Sequence, residues 1–259
     1  LLVEVGRRAG RTGARTLDEA IAIGKAIAAS PMLALCGVAS YEAVFGGEQR
    51  AVDAQVQALF DLQAAAARSM AELFSRDLAT IFTAGGSQFP DIAAKRLNAI
   101  DLGRTCTVVI RSGCYLTHDS GHYAQASAAM AARAPELAMA GSLVPALELW
   151  AYVQSRPEQT LAFANFGKRD TGADLGLPVP KVWYRPGLHS IPAAVSGVHR
   201  VTKLNDQHAF LELPADSPLR VGDMLGCGIS HPCTTFDKWQ VIPIVDDAYN
   251  VVDAVRTFF

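Results

Sequence analysis

The first 135 residues alternate short apolar runs with longer stretches in which apolar residues recur at helical spacing. The short runs predict four buried parallel strands, because strands covered on both faces read as continuous hydrophobic segments. These strands are Leu1–Val5, Leu33–Val38, Leu78–Thr83 and Cys106–Arg111. The stretches between them predict helices over Thr16–Ala29, Glu48–Phe74 and Asp91–Asn98. Repeated β-α order of this kind predicts a parallel sheet or barrel.

After Ala134-Pro135 the pattern changes to shorter apolar segments separated by Gly, Pro and Asp. Strands are predicted over Ala146–Gln154, Leu161–Asn165, Ala209–Leu213 and Val241–Val245. The stretch 245–255 predicts a turn between two antiparallel strands, and the Gly- and Pro-rich stretch 167–197 predicts a long loop. The sequence therefore predicts two domains, a β/α domain over residues 1–141 and a mostly antiparallel β domain over residues 142–259.

The number of strands before this change limits the first domain. Four strands are too few for a closed (β/α)8 barrel, which needs eight. We therefore expect an α/β fold whose first domain is a parallel sheet or part of a barrel.

Composition and charge narrow the class of protein. Half of the residues are hydrophobic and 19% are charged, which is ordinary for a soluble globular enzyme. The formal net charge of −2 gives no reason to expect nucleic acid or an anionic membrane as a partner. No apolar run reaches the roughly 18 residues that a spanning helix needs. Five cysteines without regular spacing suggest a reducing compartment, so we expect a cytoplasmic protein.

The segment Ser230–Trp239, SHPCTTFDKW, carries a histidine and a cysteine two positions apart, and we call it the metal segment. Pro232 favours an extended conformation at His231, and side chains two positions apart on an extended chain point to the same face. An imidazole beside a thiolate suits zinc better than magnesium, calcium or manganese. We therefore predict that His231 and Cys233 bind a metal ion. The alternative is a buried cysteine beside a capped histidine.

Two Gly-Ser turns follow consecutive predicted strands. They are Gly85-Gly86-Ser87 and Ser112-Gly113-Cys114. Glycines let the main chain approach a ligand closely, and exposed N–H groups at turns bind anions. Such turns are common without any ligand, but two of them at neighbouring strand ends favour a phosphate site. Cys114 would contribute mainly its backbone.

The metal segment resembles the C-terminal metal segment of the D-serine dehydratase and D-threonine aldolase family, pyridoxal-phosphate enzymes of the alanine-racemase fold. The resemblance covers nearly the whole chain. GRRAGRTGA (6–14) is similar to the family's arginine motif, GVASYEAVFG (37–46) to its tyrosine segment, and TAGGS (83–87) and RSGCYLTHD (111–119) to its phosphate turns. LWAYVQSRP (149–157), GKRD (167–170), DQHAFLELP (206–214) and VGDM (221–224) resemble the β domain of bacterial D-serine deaminases. The resemblance implies a partial (β/α)8 barrel followed by a β-rich C-terminal domain.

The resemblance implies a set of cofactor-binding residues. Arg11 is expected to approach the ring oxygen of pyridoxal 5′-phosphate and Tyr41 to line its ring; the alternatives are a surface arginine and a core tyrosine. The residues expected around the phosphate are Gly86, Ser87, Gly113, Cys114 and Tyr115. The resemblance also implies a homodimer. His208 resembles a recurrent β-domain histidine that supports the metal or the substrate, whereas His118 and His122 have no assigned role.

The resemblance further implies a Schiff-base lysine just after the first barrel strand. The lysines of this chain are 25, 95, 168, 181, 203 and 238, and none stands at a matching position. We therefore assign no catalytic lysine. We expect the chain to be a C-terminal portion that lacks the N-terminal half-barrel and is inactive alone.

These features together predict a pyridoxal-phosphate- and zinc-dependent D-serine dehydratase. It would convert D-serine or a related D-β-hydroxy amino acid to a 2-oxo acid and ammonia. The first alternative is retro-aldol cleavage of D-threonine on the same fold, for which the family has aspartate in place of Cys233. The second alternative is an inactive truncated fragment. Racemisation is a weaker alternative because it needs no metal.

Overall fold

The computed structural model describes residues 1–43, 49–138 and 141–259. The chain forms two compact units, and each is described by itself. The first comprises Leu1–Gly113 with Ala132–Ala134, and the second comprises Cys114–Ala131 with Pro135–Phe259. The domain division predicted at residues 141 and 142 stays a prediction. Within the described ranges, no helix is long and apolar enough to cross a membrane.

The first unit contains a four-stranded parallel sheet with the order β1-β2-β3-β4. Its strands are β1 (Val3–Val5), β2 (Gly37–Ser40), β3 (Thr80–Ala84) and β4 (Cys106–Ile110). Its helices are α1 (Leu17–Ala28), α2 (Gln49–Ser69) and α3 (Pro90–Asn98), with a 3₁₀ turn at Ala71–Leu73. The four predicted strands and three predicted helices are confirmed with shifted ends. The predicted start of the second helix, Glu48, lies outside the described residues.

The helices cover the sheet through apolar side chains that the sequence pattern indicates. The start of α1 is fixed locally, because the Thr16 hydroxyl accepts the Glu19 N–H at 3.2 Å. The core packs strand residues against the faces of α2 and α3, and its fully buried members include Val5, Val38, Phe60, Phe82 and Leu97. Burial of side chains of this size contributes about 1.5–3 kcal/mol each to folding.

One buried polar side chain ties α2 to the ends of two strands. The Gln63 amide donates to the carbonyl oxygens of Val38 at 3.0 Å and Thr83 at 3.1 Å. The Ser40 hydroxyl in turn donates to the Gln63 side-chain oxygen at 2.7 Å. Gln63 therefore fixes the carboxyl ends of β2 and β3, where the predicted cofactor residues begin.

The second unit is built on a seven-stranded antiparallel sheet with the order β8-β7-β11-β5-β6-β10-β9. Its strands are β5 (Glu148–Glu158), β6 (Leu161–Ala164), β7 (Val179–Tyr184), β8 (Ala193–Ala194), β9 (Arg200–Leu204), β10 (Ala209–Glu212) and β11 (Met224–Gly228). A separate hairpin joins β12 (Val241–Val245) and β13 (Val251–Arg256). The helices after the first unit's sheet are α4 (His122–Arg133), α5 (Pro135–Ala138) and α6 (Cys233–Phe236).

The antiparallel character of this part and its C-terminal hairpin are confirmed, but one prediction about local structure is wrong. The stretch 167–197 is not one long loop, because it contains β7 and β8. Pro180 hid β7 from the sequence pattern, since proline normally argues against an inner strand. In the structure Pro180 lies opposite Cys227, next to a register shift in the β7–β11 pairing that accommodates it.

Candidate functional site

Arg11 lies in a tight turn that follows β1. The Gly6 N–H donates to the Ala14 carbonyl at 2.8 Å and closes the turn. The Arg15 guanidinium donates to the Thr12 carbonyl at 2.9 Å from inside it. The Arg11 guanidinium carbon lies 4.9 Å from the centre of the Tyr41 ring, within the range of a cation–π contact. The structure thus brings together the two residues predicted to contact the cofactor ring.

Glu42 follows Tyr41 at the end of β2 and is fully buried. Its Oε2 accepts the Gly85 N–H at 3.2 Å, whereas its Oε1 has no hydrogen-bond partner in the structure. A Cβ at Gly86 would lie 2.6 Å from Oε1, so only glycine fits there. Burial raises the pKa of Glu42 above 4.5, and hydrogen bonds from Gly86 and Gly85 oppose this rise. The Glu42 carboxylate therefore already accepts the Gly85 N–H, which belongs to a turn predicted to bind phosphate. Glu42 was not identified from the sequence as a residue of this site.

The second Gly-Ser turn lies beside the first. The Ser112 hydroxyl donates to the Gly86 carbonyl at 2.8 Å and joins the two turns. Arg111 is the first residue of the motif RSGCYLTHD and had no predicted role of its own. In the structure it connects three strand ends of the parallel sheet. Its Nε donates to the Thr83 hydroxyl at 2.9 Å and its Nη2 to the Ser40 carbonyl at 2.8 Å.

These residues fit a phosphorylated aromatic cofactor. Arg11 and Arg111 supply positive charge in the first unit, and Tyr41 supplies an aromatic face. A Cβ at Gly113 would meet nothing within 4 Å, so the main chain there is open to a ligand. Ser87 directly follows Gly86 and is half-buried. The role of Ser87 in phosphate binding stays a prediction.

Cys114 and Tyr115 lie in a single 3₁₀ turn, Gly113–Tyr115, after β4. The Cys114 side chain is buried, and the Tyr115 hydroxyl lies 3.9 Å from the Met130 sulfur. The contribution of Cys114 and Tyr115 to phosphate binding stays a prediction.

The metal segment follows β11 and does not have the extended conformation expected from its sequence. Pro232 has φ −65° and ψ −35°, and Cys233 is the first residue of α6. The expectation of an extended chain with both side chains on one face is therefore wrong. The reason is that proline is well suited to the start of a helix, where its missing N–H costs nothing. The prediction that His231 and Cys233 bind metal rests on their chemistry rather than on this geometry.

His231 is held by a carboxylate that the sequence did not indicate. Its Nδ1 lies 2.7 Å from Asp174 Oδ2, and the Thr234 hydroxyl donates to Asp174 Oδ1 at 3.0 Å. Burial alone would raise the pKa of Asp174, but hydrogen bonds from His231 and Thr234 outweigh it and lower that pKa. A histidine bound through Nδ1 in this way presents Nε2 to a ligand.

The loop that carries Asp174 packs closely against the metal segment. The Gly172 N–H donates to the Thr235 hydroxyl at 3.0 Å. A Cβ at Gly172 would lie 2.1 Å from the Thr234 hydroxyl oxygen, so this approach requires glycine. The Ser230 hydroxyl donates to the Gly176 carbonyl at 2.7 Å. Three contacts therefore fix the position of the loop relative to His231.

Cys233 lies next to another cysteine. Its Sγ is 3.8 Å from Cys114 Sγ, although 119 residues separate the two. Burial raises the pKa of the Cys233 thiol to about 11, and the neighbouring Cys114 adds to this rise. Cys233 is nevertheless exposed to solvent, whereas Cys114 is buried. We call Cys114 and Cys233 the thiol pair.

The donors of the metal segment suit zinc in type but are few in number. Imidazole nitrogen and thiolate sulfur are ligands that zinc prefers. Among the residues that the structure describes, no group of three or more His, Cys, Asp or Glu side chains is arranged to hold a metal ion. His231 and Cys233 would supply two protein ligands, one fewer than the three of a typical catalytic zinc site, so water and substrate would have to complete the shell.

The other histidines singled out from the sequence are His118, His122 and His208. The ring of Tyr123 lies 5.1 Å from that of His122 and 6.5 Å from that of His231, measured between ring centres. His118 is buried, and the neighbouring Asp119 accepts the N–H groups of Gly121, Tyr123 and Ala124 at the start of α4. The Asp119 carboxylate thus satisfies N–H groups at the start of α4, whose first residue is His122. His208 is exposed in the turn between β9 and β10, where its carbonyl accepts the Asn205 N–H. A supporting role for His208 stays a prediction.

Comparison with known proteins identifies the fold and one domain. The chain is similar to the crystal structure of D-threonine aldolase from Filomicrobium marinum, with a TM-score of 0.67 and 22% identity over 98% of this chain and 61% of that one. It is also similar to a cysteine-to-alanine variant of D-threo-3-hydroxyaspartate dehydratase in its metal-free form, with a TM-score of 0.60 and 17% identity over 99% and 65% of the two chains. No curated protein matches the chain.

A third similar structure is an alanine-racemase-like protein from Idiomarina loihiensis, with a TM-score of 0.60 and 13% identity over 98% and 63% of the two chains. The chain thus spans about three fifths of the length of these structures. Its class is that of the alanine-racemase-like fold, a partial parallel α/β barrel with a β domain. Within that class, residues 146–245 match the family described as a putative serine dehydratase domain. This match confirms the predicted resemblance to serine dehydratases over these residues.

Proposed function

We propose that the whole protein is a pyridoxal-phosphate- and zinc-dependent D-serine dehydratase. It converts D-serine, or a related D-β-hydroxy amino acid, to a 2-oxo acid and ammonia. The observation that carries this proposal is the pairing of His231 with Asp174 beside the Cys233 thiol, inside the matched serine dehydratase domain. Since the chain spans about three fifths of similar structures, the activity is proposed for the whole protein and assayed on it.

The residues after the strands of the parallel sheet would hold the cofactor. Arg11 would approach the ring oxygen and favour its anionic form, and Tyr41 would line the ring. The residues that would hold the phosphate are Gly86, Ser87, Gly113, Cys114 and Tyr115. When bound, pyridoxal phosphate supplies a ring that takes up the electrons left when the substrate loses its α-proton. No lysine of this chain is assigned the covalent role.

The metal segment would hold zinc. His231 donates through Nε2, because Asp174 engages Nδ1, and Cys233 donates through its sulfur. When bound, zinc supplies Lewis acidity at an open coordination position. The similarity to a D-threo-3-hydroxyaspartate dehydratase whose cysteine variant is described as metal-free supports a metal-dependent lyase in general.

Retro-aldol cleavage of D-threonine is the second candidate. The similarity to D-threonine aldolase, with a TM-score of 0.67, supports it. Cys233 favours dehydration, because the aldolase pattern has an aspartate there and a carboxylate suits manganese or magnesium. We expect Cys233→Asp to shift the metal preference of the whole protein towards manganese and to raise aldolase activity. An unchanged metal preference would count against this assignment of roles.

The activity test compares two substrates on the whole protein. With pyridoxal phosphate and zinc, D-serine should yield pyruvate and ammonia in equal amounts, whereas L-serine should not react. Release of glycine and acetaldehyde from D-threonine, without pyruvate from D-serine, would establish the aldolase instead. Absence of both reactions in a protein that binds pyridoxal phosphate would refute the lyase proposal.

Metal and cofactor binding can be measured separately from activity. Elemental analysis should find one zinc per chain, which His231→Ala removes and His189→Ala, at a histidine that follows β7, leaves in place. Equilibrium dialysis should show weaker pyridoxal phosphate binding for Arg11→Ala than for Arg8→Ala, an exposed arginine of the same turn. Zinc that survives His231→Ala would contradict the metal assignment.

We also propose that the whole protein is a homodimer, as the resemblance implies. Light scattering on the purified protein should give twice the mass of one chain. A monomeric mass at micromolar concentration would contradict the proposal.

A further inference from the structure

We propose that Cys114 and Cys233 are a modification site that low-molecular-weight disulfides, such as oxidised glutathione, convert to an intramolecular disulfide. The two sulfur atoms are 3.8 Å apart in the second unit. A disulfide needs a sulfur–sulfur distance of about 2.05 Å. Closing the remaining gap of a little under 2 Å requires rotation of the two side chains, and each cysteine lies at or near the start of a short helical turn.

The position of the two thiols assigns them different roles. Cys233 is exposed and accessible to a small disulfide, whereas Cys114 is buried and 6% exposed. A soluble disulfide therefore reaches Cys233 first. Cys114 then lies in contact with the modified sulfur and resolves it.

The reaction balances in two exchange steps. In the first, the Cys233 thiolate attacks oxidised glutathione, forms a mixed disulfide and releases one glutathione thiolate. In the second, the Cys114 thiolate attacks the Cys233 sulfur of the mixed disulfide and releases the second glutathione thiolate. The two protein sulfurs lose two electrons, which reduce one oxidised glutathione to two thiols, and the two protons of the protein thiols go to those products.

The other cysteines lack these features. Cys36 and Cys106 lie in the first unit, and their thiols donate to nearby main-chain carbonyls at 3.5 and 3.4 Å. Cys227 is completely buried in β11. We therefore expect the cross-link to be specific for the thiol pair.

The disulfide has a consequence that rests on the proposed function. A Cys233 sulfur in a disulfide cannot act as a thiolate ligand. Oxidation would then remove one of the two proposed zinc donors, and bound zinc would protect the pair from oxidation.

The test counts thiols after denaturation. Treatment of the metal-free protein with oxidised glutathione at mildly alkaline pH should lower the count for the five cysteines of this chain from five to three. Peptide mass spectrometry should find the peptides of Cys114 and Cys233 joined with the loss of two hydrogens, and dithiothreitol should restore five thiols. Non-reducing electrophoresis should show a monomer, which excludes cross-linking between chains.

Single variants serve as matched controls. Cys233→Ser should form no internal cross-link, Cys114→Ser should stop at a glutathione adduct on Cys233, and Cys106→Ser should still form the cross-link. Circular dichroism confirms that each variant is folded, and Cys→Ala replacements substitute for any that is not. A wild-type protein that keeps five thiols, or that stops at the glutathione adduct, would overturn the proposal.

Measuring the rate of thiol loss with and without zinc distinguishes failure of the disulfide proposal from failure of the proposed zinc site. If both hold, saturating zinc slows the loss of thiols at least tenfold in the wild type. If the cross-link forms at the same rate with and without zinc, the disulfide stands and the role of Cys233 as a zinc ligand fails.

Discussion

Asp174 Oδ2 lies 2.7 Å from His231 Nδ1, although 57 residues separate the two in the chain. The imidazole is mostly buried, with 15% of the side chain exposed, whereas half of the Asp174 side chain is exposed. The carboxylate sets the orientation of the ring and determines which nitrogen faces outward. Any ligand of His231 therefore depends on a residue from the loop between β6 and β7.

Replacement of Asp174 by asparagine should weaken zinc binding about 10- to 100-fold, because metal-binding histidines lose affinity when their carboxylate partner is removed. Competition with a chromogenic chelator measures this change directly. Asp247→Asn, at an exposed carboxylate of the β12–β13 turn, is the matched control and should bind zinc like the wild type. Equal affinities for both variants would show that Asp174 serves the fold alone.

Glu42 should make stability depend on pH. Its folded-state pKa is raised above 4.5 by burial, so the folded protein holds this proton more tightly than the unfolded chain. The free energy of unfolding should therefore fall as pH rises above 4.5 and level off above the folded pKa. Glu42→Gln should remove this dependence and be more stable than the wild type at neutral pH.

Urea denaturation of both proteins between pH 4 and 8 tests this expectation. Glu72→Gln is the control, since the Glu72 side chain is 92% exposed and should leave the pH profile unchanged. A wild-type profile parallel to that of Glu42→Gln would mean that Glu42 ionises normally.

Gln63→Leu should destabilise the first unit by at least about 2 kcal/mol, because two buried carbonyls lose a donor at about 1–3 kcal/mol each. It should also weaken pyridoxal phosphate binding, since the ends of β2 and β3 lose their common support. Gln57→Leu, on the same helix at a half-buried position, should change stability by less than about 0.5 kcal/mol. Similar losses in the two variants would contradict the role assigned to Gln63.

Arg185→Met should lower the stability of the second unit by about 3 kcal/mol, since it leaves a buried carboxylate unpaired. Arg185 contacts Asp223 through two bonds of 2.7 and 2.8 Å, and the Asp223 side chain is 3% exposed. The control is Arg200→Met, because its pair with Glu212 is 3.9 Å long and exposed and should contribute under about 1 kcal/mol. Thermal unfolding of the two variants gives the comparison.

The sequence predicted the elements whose signal is local. Thr80–Ala84 is mostly apolar and is buried at four of its five positions, as expected for an inner parallel strand. Cys106–Ile110 was also predicted from its apolar residues, but it is the last strand in the sheet order and is only partly buried. The start of α1 was readable from Thr16 and Glu19. By contrast, α4 was missed because its sequence, HYAQASAAMAAR, lacks a stripe of large apolar residues.

The candidate site was predicted where motifs lie at strand ends and missed where contacts are long-range. Arg11 and Tyr41 belong to separate motifs, and parallel strand ends bring them within 4.9 Å of each other. Asp174 could not be predicted, because it lies in a Gly-rich loop without a motif of its own. The short helix at Cys233 could have been inferred from Pro232, whose ring is compatible with a first helical turn.

The dependence of His231 on Asp174, Gly172 and Gly176 bears on engineering. Transplanting the ten residues from Ser230 to Trp239 onto another scaffold would transfer the donor atoms of His231 and Cys233. It would leave behind the loop residues whose hydrogen bonds orient His231. A functional graft would have to include the stretch 170–176 as a second, discontinuous piece. Directed evolution of this centre should accordingly yield improving substitutions in both stretches at once.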